Sequence, residues 1–128
     1  MKIWRRKILD LSKIIEYAHS KNAVTESTPF GDNVLVYKVG NKMFLLLSLA
    51  SVPNRVSVKC DPEYAVELRE KFNYVIAGYH LNKTHWNTII LENEENFEFI
   101  KEQIDNSYDL IVNSLSKKLR SEILKLTQ

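Results

Sequence analysis

The sequence predicts an α+β fold: a two-layer α/β sandwich whose antiparallel sheet has about five strands, with helices on one face. Three observations predict it. Two β-rich runs, Val34 to Val39 and Lys42 to Leu49, are separated only by Gly40-Asn41. Asp61-Pro62-Glu63 is a helix start that follows a strand of clean alternation. Both ends of the chain repeat apolar residues at the helical period. The resulting order is α-βββ-α-ββ-αα.

Residues 3–20 read as an amphipathic helix, with Trp4, Ile8, Leu11, Ile15 and Ala18 on one stripe. Lys2, Arg5, Arg6 and Lys7 cluster at its start, where the macrodipole disfavours cations, so they either reach for an anionic partner or are solvated. Residues 22–33 hold Pro29, Gly31, Asp32 and Asn33 and have loop chemistry. Gly40-Asn41 is expected to form a type II′ turn, glycine supplying the positive φ at the first turn position. Pairing across it sets Val39 opposite Lys42 and Lys38 opposite Met43. The two lysines then lie on opposite faces, so the tip should project beyond the packed sheet.

Pro53-Asn54 turns the chain into Arg55 to Cys60, with Val56, Val58 and Cys60 inward and Arg55, Ser57 and Lys59 outward. Cys60 reads as a buried small hydrophobe, with nucleophile a minor alternative. The next helix has Asp61 as N-cap, Pro62 at its first position and Ala65, Leu68 and Phe72 as its buried stripe. Val75 to Ala77 leads through Gly78 into the loop 79–85 and a strand from Trp86 to Leu91. A last helical region begins near Asn93, with Glu94 and Glu95 in its first turn, and buries Phe97, Ile100 and Ile104. Asp105-Asn106-Ser107 reads as a bend before Tyr108, Ile111, Val112, Leu115 and Leu119.

A length of 128 residues suits one domain spanning 1–128, without repeats or linkers. Cys60 is alone, which fits a reducing cytosol. Asp10, Lys13 and Glu16 interrupt any signal-peptide core, and the longest apolar run, Met43 to Leu47, is too short for a bilayer. A cytoplasmic protein with no membrane partner is expected. Net charge is only +2, yet Asp32 to Asp61 encloses Lys38, Lys42, Arg55 and Lys59 without an acid, while 92–109 is strongly acidic. Such segregation suggests one positive and one negative face.

Tyr37-Lys38-Val39-Gly40-Asn41-Lys42-Met43-Phe44, Val58-Lys59-Cys60-Asp61-Pro62, Gly78-Tyr79-His80-Leu81-Asn82-Lys83 with His85-Trp86-Asn87-Thr88, and Ser107-Tyr108-Asp109-Leu110-Ile111 together resemble the MmcQ/YjbR family of small bacterial proteins. The likeness is strongest over 29–119; Ala77 stands where members often carry proline. The resemblance implies a two-layer fold with an antiparallel sheet, similar to the secretion-chaperone fold. It also implies DNA binding through a double-wing arrangement.

The residues themselves leave three functions open. The first is weak contact with double-stranded DNA, chiefly with phosphates. Lys38 and Lys42 would form one wing, with Tyr79, His80, Asn82, Lys83, His85 and Asn87 the other, and Arg55 and Lys59 are further candidates for contact. The second is a module that binds another protein through the open sheet face or edge, meeting an acidic partner with Arg55 and Lys59. The third is an enzyme, for which His80, Lys83 and His85 are the one acid/base cluster. It lacks an adjacent carboxylate or thiol, so no enzyme, metal or cofactor is expected. Each residue also has a structural reading. Trp86 suits a core, Tyr37 and Tyr79 a half-buried sheet, His80 and His85 bonds to loop backbone, and Lys38 and Lys42 protection of a strand edge.

Overall fold

Glycine and asparagine both tolerate the left-handed backbone region, and Gly40-Asn41 uses it at both positions, with φ of 57° and 66°. The turn is therefore type I′, not the type II′ expected; type I′ requires positive φ at both central residues. In the computed structural model, which describes residues 11–91 and 97–125, this turn joins β2 (Val34–Val39) to β3 (Lys42–Ser48). Val39 pairs with Lys42 and Lys38 with Met43, as the turn length requires. Register then shifts, because Tyr37 pairs with Leu45 and Phe44 is the extra residue of a bulge. The bulge turns both Phe44 and Leu45 into buried positions, a double inward aim that plain alternation forbids.

The sheet has six antiparallel strands in the order β1-β2-β3-β4-β6-β5, where β4 is Arg55–Lys59, β5 is Val75–Ala77 and β6 is Trp86–Ile90. The sixth strand, β1 (Val24–Ser27), corrects the reading of 22–33 as all loop. Its four residues pair with β2 from Val24↔Val39 to Ser27↔Val36, so a neighbour supplies the order that their own composition does not.

Four helices complete the fold: α1 (Leu11–His19), α2 (Pro62–Lys71), α3 (Phe97–Asn113) and α4 (Lys117–Lys125). Asp61 caps α2 as expected, its carboxylate accepting the Tyr64 amide at 3.2 Å. In α1 the buried line is Ile14 and Ala18, with Leu11 and Ile15 partly covered. The expected bend at Asp105-Asn106-Ser107 is absent, since α3 runs unbroken through it. Those residues bond across the protein and not to their own backbone: Asp105 accepts the Tyr17 hydroxyl and pairs with Lys21, and Ser107 reaches the sheet. Lys21 and Tyr17 both titrate high. Burial alone would lower the Lys21 ammonium, but the carboxylate raises it overall, and burial followed by the Asp105 bond raises Tyr17. Trp4, Ile8, the basic residues 2–7 and the helix start at Asn93, Glu94 and Glu95 lie outside the described residues.

Pairing and alternation divide the strand residues between two faces. Tyr37, Leu45, Leu47, Val56, Val58 and Ile89 face the helices with Ile100, Ile104 and Ile111 in a single core. Cys60 belongs to that core at 3% exposure, and burial, with some help from Asp61, pushes its thiol up to about 11. Burial and the raised thiol fit the expected role of a small packing residue. Among the described residues no helix is long and apolar enough to cross a membrane.

Candidate nucleic-acid interface on the open sheet face

The face away from the helices carries Lys38, Met43, Leu46, Ser48, Arg55, Ser57, Lys59 and Thr88, by register across β2, β3, β4 and β6. Strand alternation places no described carboxylate on it. Glu26, the one acid within a strand, is opposite Tyr37 on the helical side and holds His19 of α1 at 2.8 Å. That bond, followed by one from the Tyr37 hydroxyl, lowers the Glu26 carboxyl. Burial first and Glu26 second raise Tyr37, whose buried hydroxyl is too poorly aligned for a well-formed hydrogen bond. Most of the other described acids are on the helices, with Glu63, Glu67 and Glu70 on α2 and Glu98, Glu102, Asp105 and Asp109 on α3, while Asp32 and Asp61 stand in loops.

Lys38 and Lys59 project from the hairpin end of this face, two strands apart, which sets their Cα atoms about 10 Å from each other. Lys42 does not join them. It alternates to the helical side, where its ammonium is 3.5 Å from the Ser114 hydroxyl. The hairpin tip is backed by the same helical layer: a Cβ at Gly40 would stand 2.5 Å from Leu115 Cδ1. The tip thus does not project free, because the end of α3 packs beneath it.

The loop 78–85 lies at the same end of the sheet, before Trp86, which pairs with Lys59. Its start is pinned: a Cβ at Gly78 would fall 2.7 Å from Trp86 Cβ, and the Tyr79 amide donates to Thr88 Oγ1 at 3.0 Å. Asn82 folds the middle of the loop, its Oδ1 accepting the amides of Thr84 at 2.9 Å and His85 at 3.1 Å. Lys83 donates to the Gly78 carbonyl at 3.0 Å. His80 adopts φ of 61° and stacks on Tyr79 at 4.0 Å between ring centroids, while the exposed His85 ties its carbonyl to the Cys60 amide. His80, Lys83 and His85 are exposed, and no group of three or more His, Cys, Asp or Glu among the described residues could hold a metal ion.

Two of the sequence's candidates have other duties. Asn87 is 1% exposed on the helical side, accepting from Arg69 Nη1 at 2.7 Å and donating to the Ala65 carbonyl at 3.3 Å. It anchors α2 to β6 and cannot touch a nucleic acid. Arg55 stands at the far end of β4 from Lys59, its guanidinium 4.5 Å from the centre of the Tyr79 ring. Trp86, 8% exposed, is a packing residue and not a platform for bases.

Sequence reasoning did not foresee that loops cover part of this face. Phe30, Tyr79, His80 and Leu81 roof a cavity of about 280 Å³ floored by Val34, Leu46, Ser48, Arg55 and Ser57. Phe30, an aromatic residue stranded between Pro29 and Gly31 in a polar loop, was the signal that could have pointed to it.

A family model described as YjbR matches residues 19–110. The uncharacterized protein YjbR of Escherichia coli K12 is 28% identical over 118 residues, covering 92% of this chain and all of that protein. The uncharacterized protein YbdF of Escherichia coli O157:H7 is 33% identical over 91 residues, 70% of this chain and 74% of its own length. Among solved structures, a Deinococcus radiodurans protein with a DUF419 domain superposes with a TM-score of 0.83 at 32% identity, over 91% of this chain and 88% of that one. A Pseudomonas syringae protein shares the fold at a TM-score of 0.69 and 23% identity, over 80% of this chain and 98% of its own.

Proposed function

The chain belongs to the YjbR family, and we propose that it is a cytoplasmic, non-enzymatic DNA-binding protein that touches phosphates weakly with the open face of its sheet. The observation that carries this reading is the sorting of charge: the face bearing Lys38 and Lys59 has no described strand carboxylate, while α2 and α3 together hold seven acids. A polyanion is thereby drawn toward the sheet face that carries Lys38 and Lys59. Lys38 and Lys59 supply the central contacts. The His85 ring and the Asn82 amide nitrogen, exposed at the same end, can add hydrogen bonds to a backbone that runs past them.

This moves the contact away from two gripping wings, because Lys42 leans toward α3 and Lys83 is engaged by its own loop. With so few phosphates engaged, affinity is expected on the order of 10⁻⁴–10⁻⁶ M and falls steeply with salt. Fluorescence anisotropy with a short duplex, repeated across a salt series, tests the reading. The Lys38→Ala/Lys59→Ala double variant should flatten the salt slope by about 2, because each lost phosphate contact removes roughly 0.9. An unchanged slope would remove this face from the contact. Absence of retention on DNA and heparin, together with a stable dimer, would favour the protein-docking alternative.

A further inference from the structure

We propose that the cavity on the open face binds a small organic carboxylate with an apolar body about the size of a fused aromatic ring pair. At about 280 Å³ the space is close to twice the 150 Å³ or so that accommodates benzene. Its walls are largely apolar: Phe30, Val34, Leu46, Leu81 and the face of Tyr79. Two of these, Phe30 at 62% and Tyr79 at 50% exposure, are rings left half in water at the rim, where a flat ligand would cover them.

Arg55 sets the polarity of the ligand. It is the one charged residue in the lining, and its Nε is buried without a hydrogen-bond partner among the described residues. Nε is sealed from the solvent, so a ligand would meet the outer N–H groups of the guanidinium, for which a carboxylate is the strongest acceptor. The guanidinium carbon lies 4.5 Å from the centre of the Tyr79 ring, which holds the cation at the cavity wall. Ser57 can add a second donor. Its hydroxyl is 2.8 Å from Thr88 Oγ1, which already accepts the Tyr79 amide. If Thr88 donates to Ser57, the Ser57 proton is left to point into the cavity. A single cation in an apolar shell suits a monoanion and leaves a phosphate dianion undercompensated.

The cavity lies toward the opposite end of β4 from Lys59, so this inference stands apart from the DNA reading. Isothermal titration of the full chain with 1-naphthoate and with its neutral isostere 1-naphthamide tests it. The carboxylate should bind the wild type about tenfold to a hundredfold more tightly than the amide, the range expected for one charge-assisted bond. Arg55→Met should erase that preference. Leu46→Trp, which fills the cavity without altering charge, should abolish binding of both compounds while leaving the salt slope for duplex DNA unchanged. Equal affinity of the two compounds for the wild type would overturn the proposal. So would naphthoate binding that survives Leu46→Trp, and the first comparison needs no variant to fold.

Discussion

The two faces of one sheet treat their polar groups in opposite ways. On the helical face Ser107 and Asn87 carry partners on both sides, although the Tyr37 hydroxyl and the Gln103 amide nitrogen are buried without one among the described residues. Ser107, fully buried on α3, donates to the Phe44 carbonyl at 2.6 Å and accepts the Lys59 amide at 2.9 Å. These are the backbone groups where β3 and β4 cease to pair after Leu45↔Val58. Asn87 closes a similar gap between α2 and β6. On the open face, Lys38 and Lys59 extend from the sheet, and Arg55 keeps a buried donor unpaired. The contrast teaches that the paired polar groups of Ser107 and Asn87 join helix to sheet, while the cations of the open face are left to meet other partners.

Substitutions on each face and a change of pH sharpen that contrast, beginning where the effect is greatest. Ser107→Ala strands two backbone groups at once and should cost about 3 kcal/mol in urea unfolding, since each buried unpaired group costs roughly 1–3. A loss below about 1 kcal/mol would mean the seam repairs itself. Asn87→Ala leaves the Arg69 guanidinium and the Ala65 carbonyl without their partner and should cost about 2 kcal/mol. Its affinity for duplex DNA should match the wild type, and weaker binding at equal stability would restore Asn87 to the interface.

The open face should behave inversely. Lys38→Ala and Lys59→Ala are each expected within about 0.5 kcal/mol of wild-type stability while weakening DNA contact. Lys42→Ala, on the helical side, should change neither. A Lys42 effect on the salt slope equal to that of Lys38 would break the distinction between the faces. The smallest effect is one of pH. Glu26 has a carboxyl lowered from 4.5, so its stabilising bond is fully present above that value and is lost as pH falls through the lower folded one. Thermal melts below about pH 4.5 should therefore decline less steeply for Glu26→Gln than for wild type.

Much of the fold was legible because its signals are local. Asp61 and Pro62 start α2 through bonds and dihedrals within one turn, and Gly40-Asn41 specifies a two-residue hairpin whichever primed turn it adopts. The failures share one cause. Val24 to Ser27 form a strand because β2 lies beside them, and α3 passes straight through 105–107 because Tyr17, Lys21 and Phe44 occupy its polar groups. Asn87 and Lys59 are both polar residues on neighbouring strands. Only register assigns one to the core and the other to the surface.

The sequence by itself determined the antiparallel α+β architecture, the buried state of Cys60 and the separation of positive from negative segments along the chain. Periodicity, capping and charge are properties of residues a few places apart. Tertiary structure alone decided which cations share a face, that the hairpin tip rests on Leu115, and that Phe30 and Tyr79 line one cavity with Leu46 and Arg55. Those facts depend on a single-residue bulge and on loops folding back across the sheet. Contacts between residues tens of positions apart leave no period for a linear reading to detect.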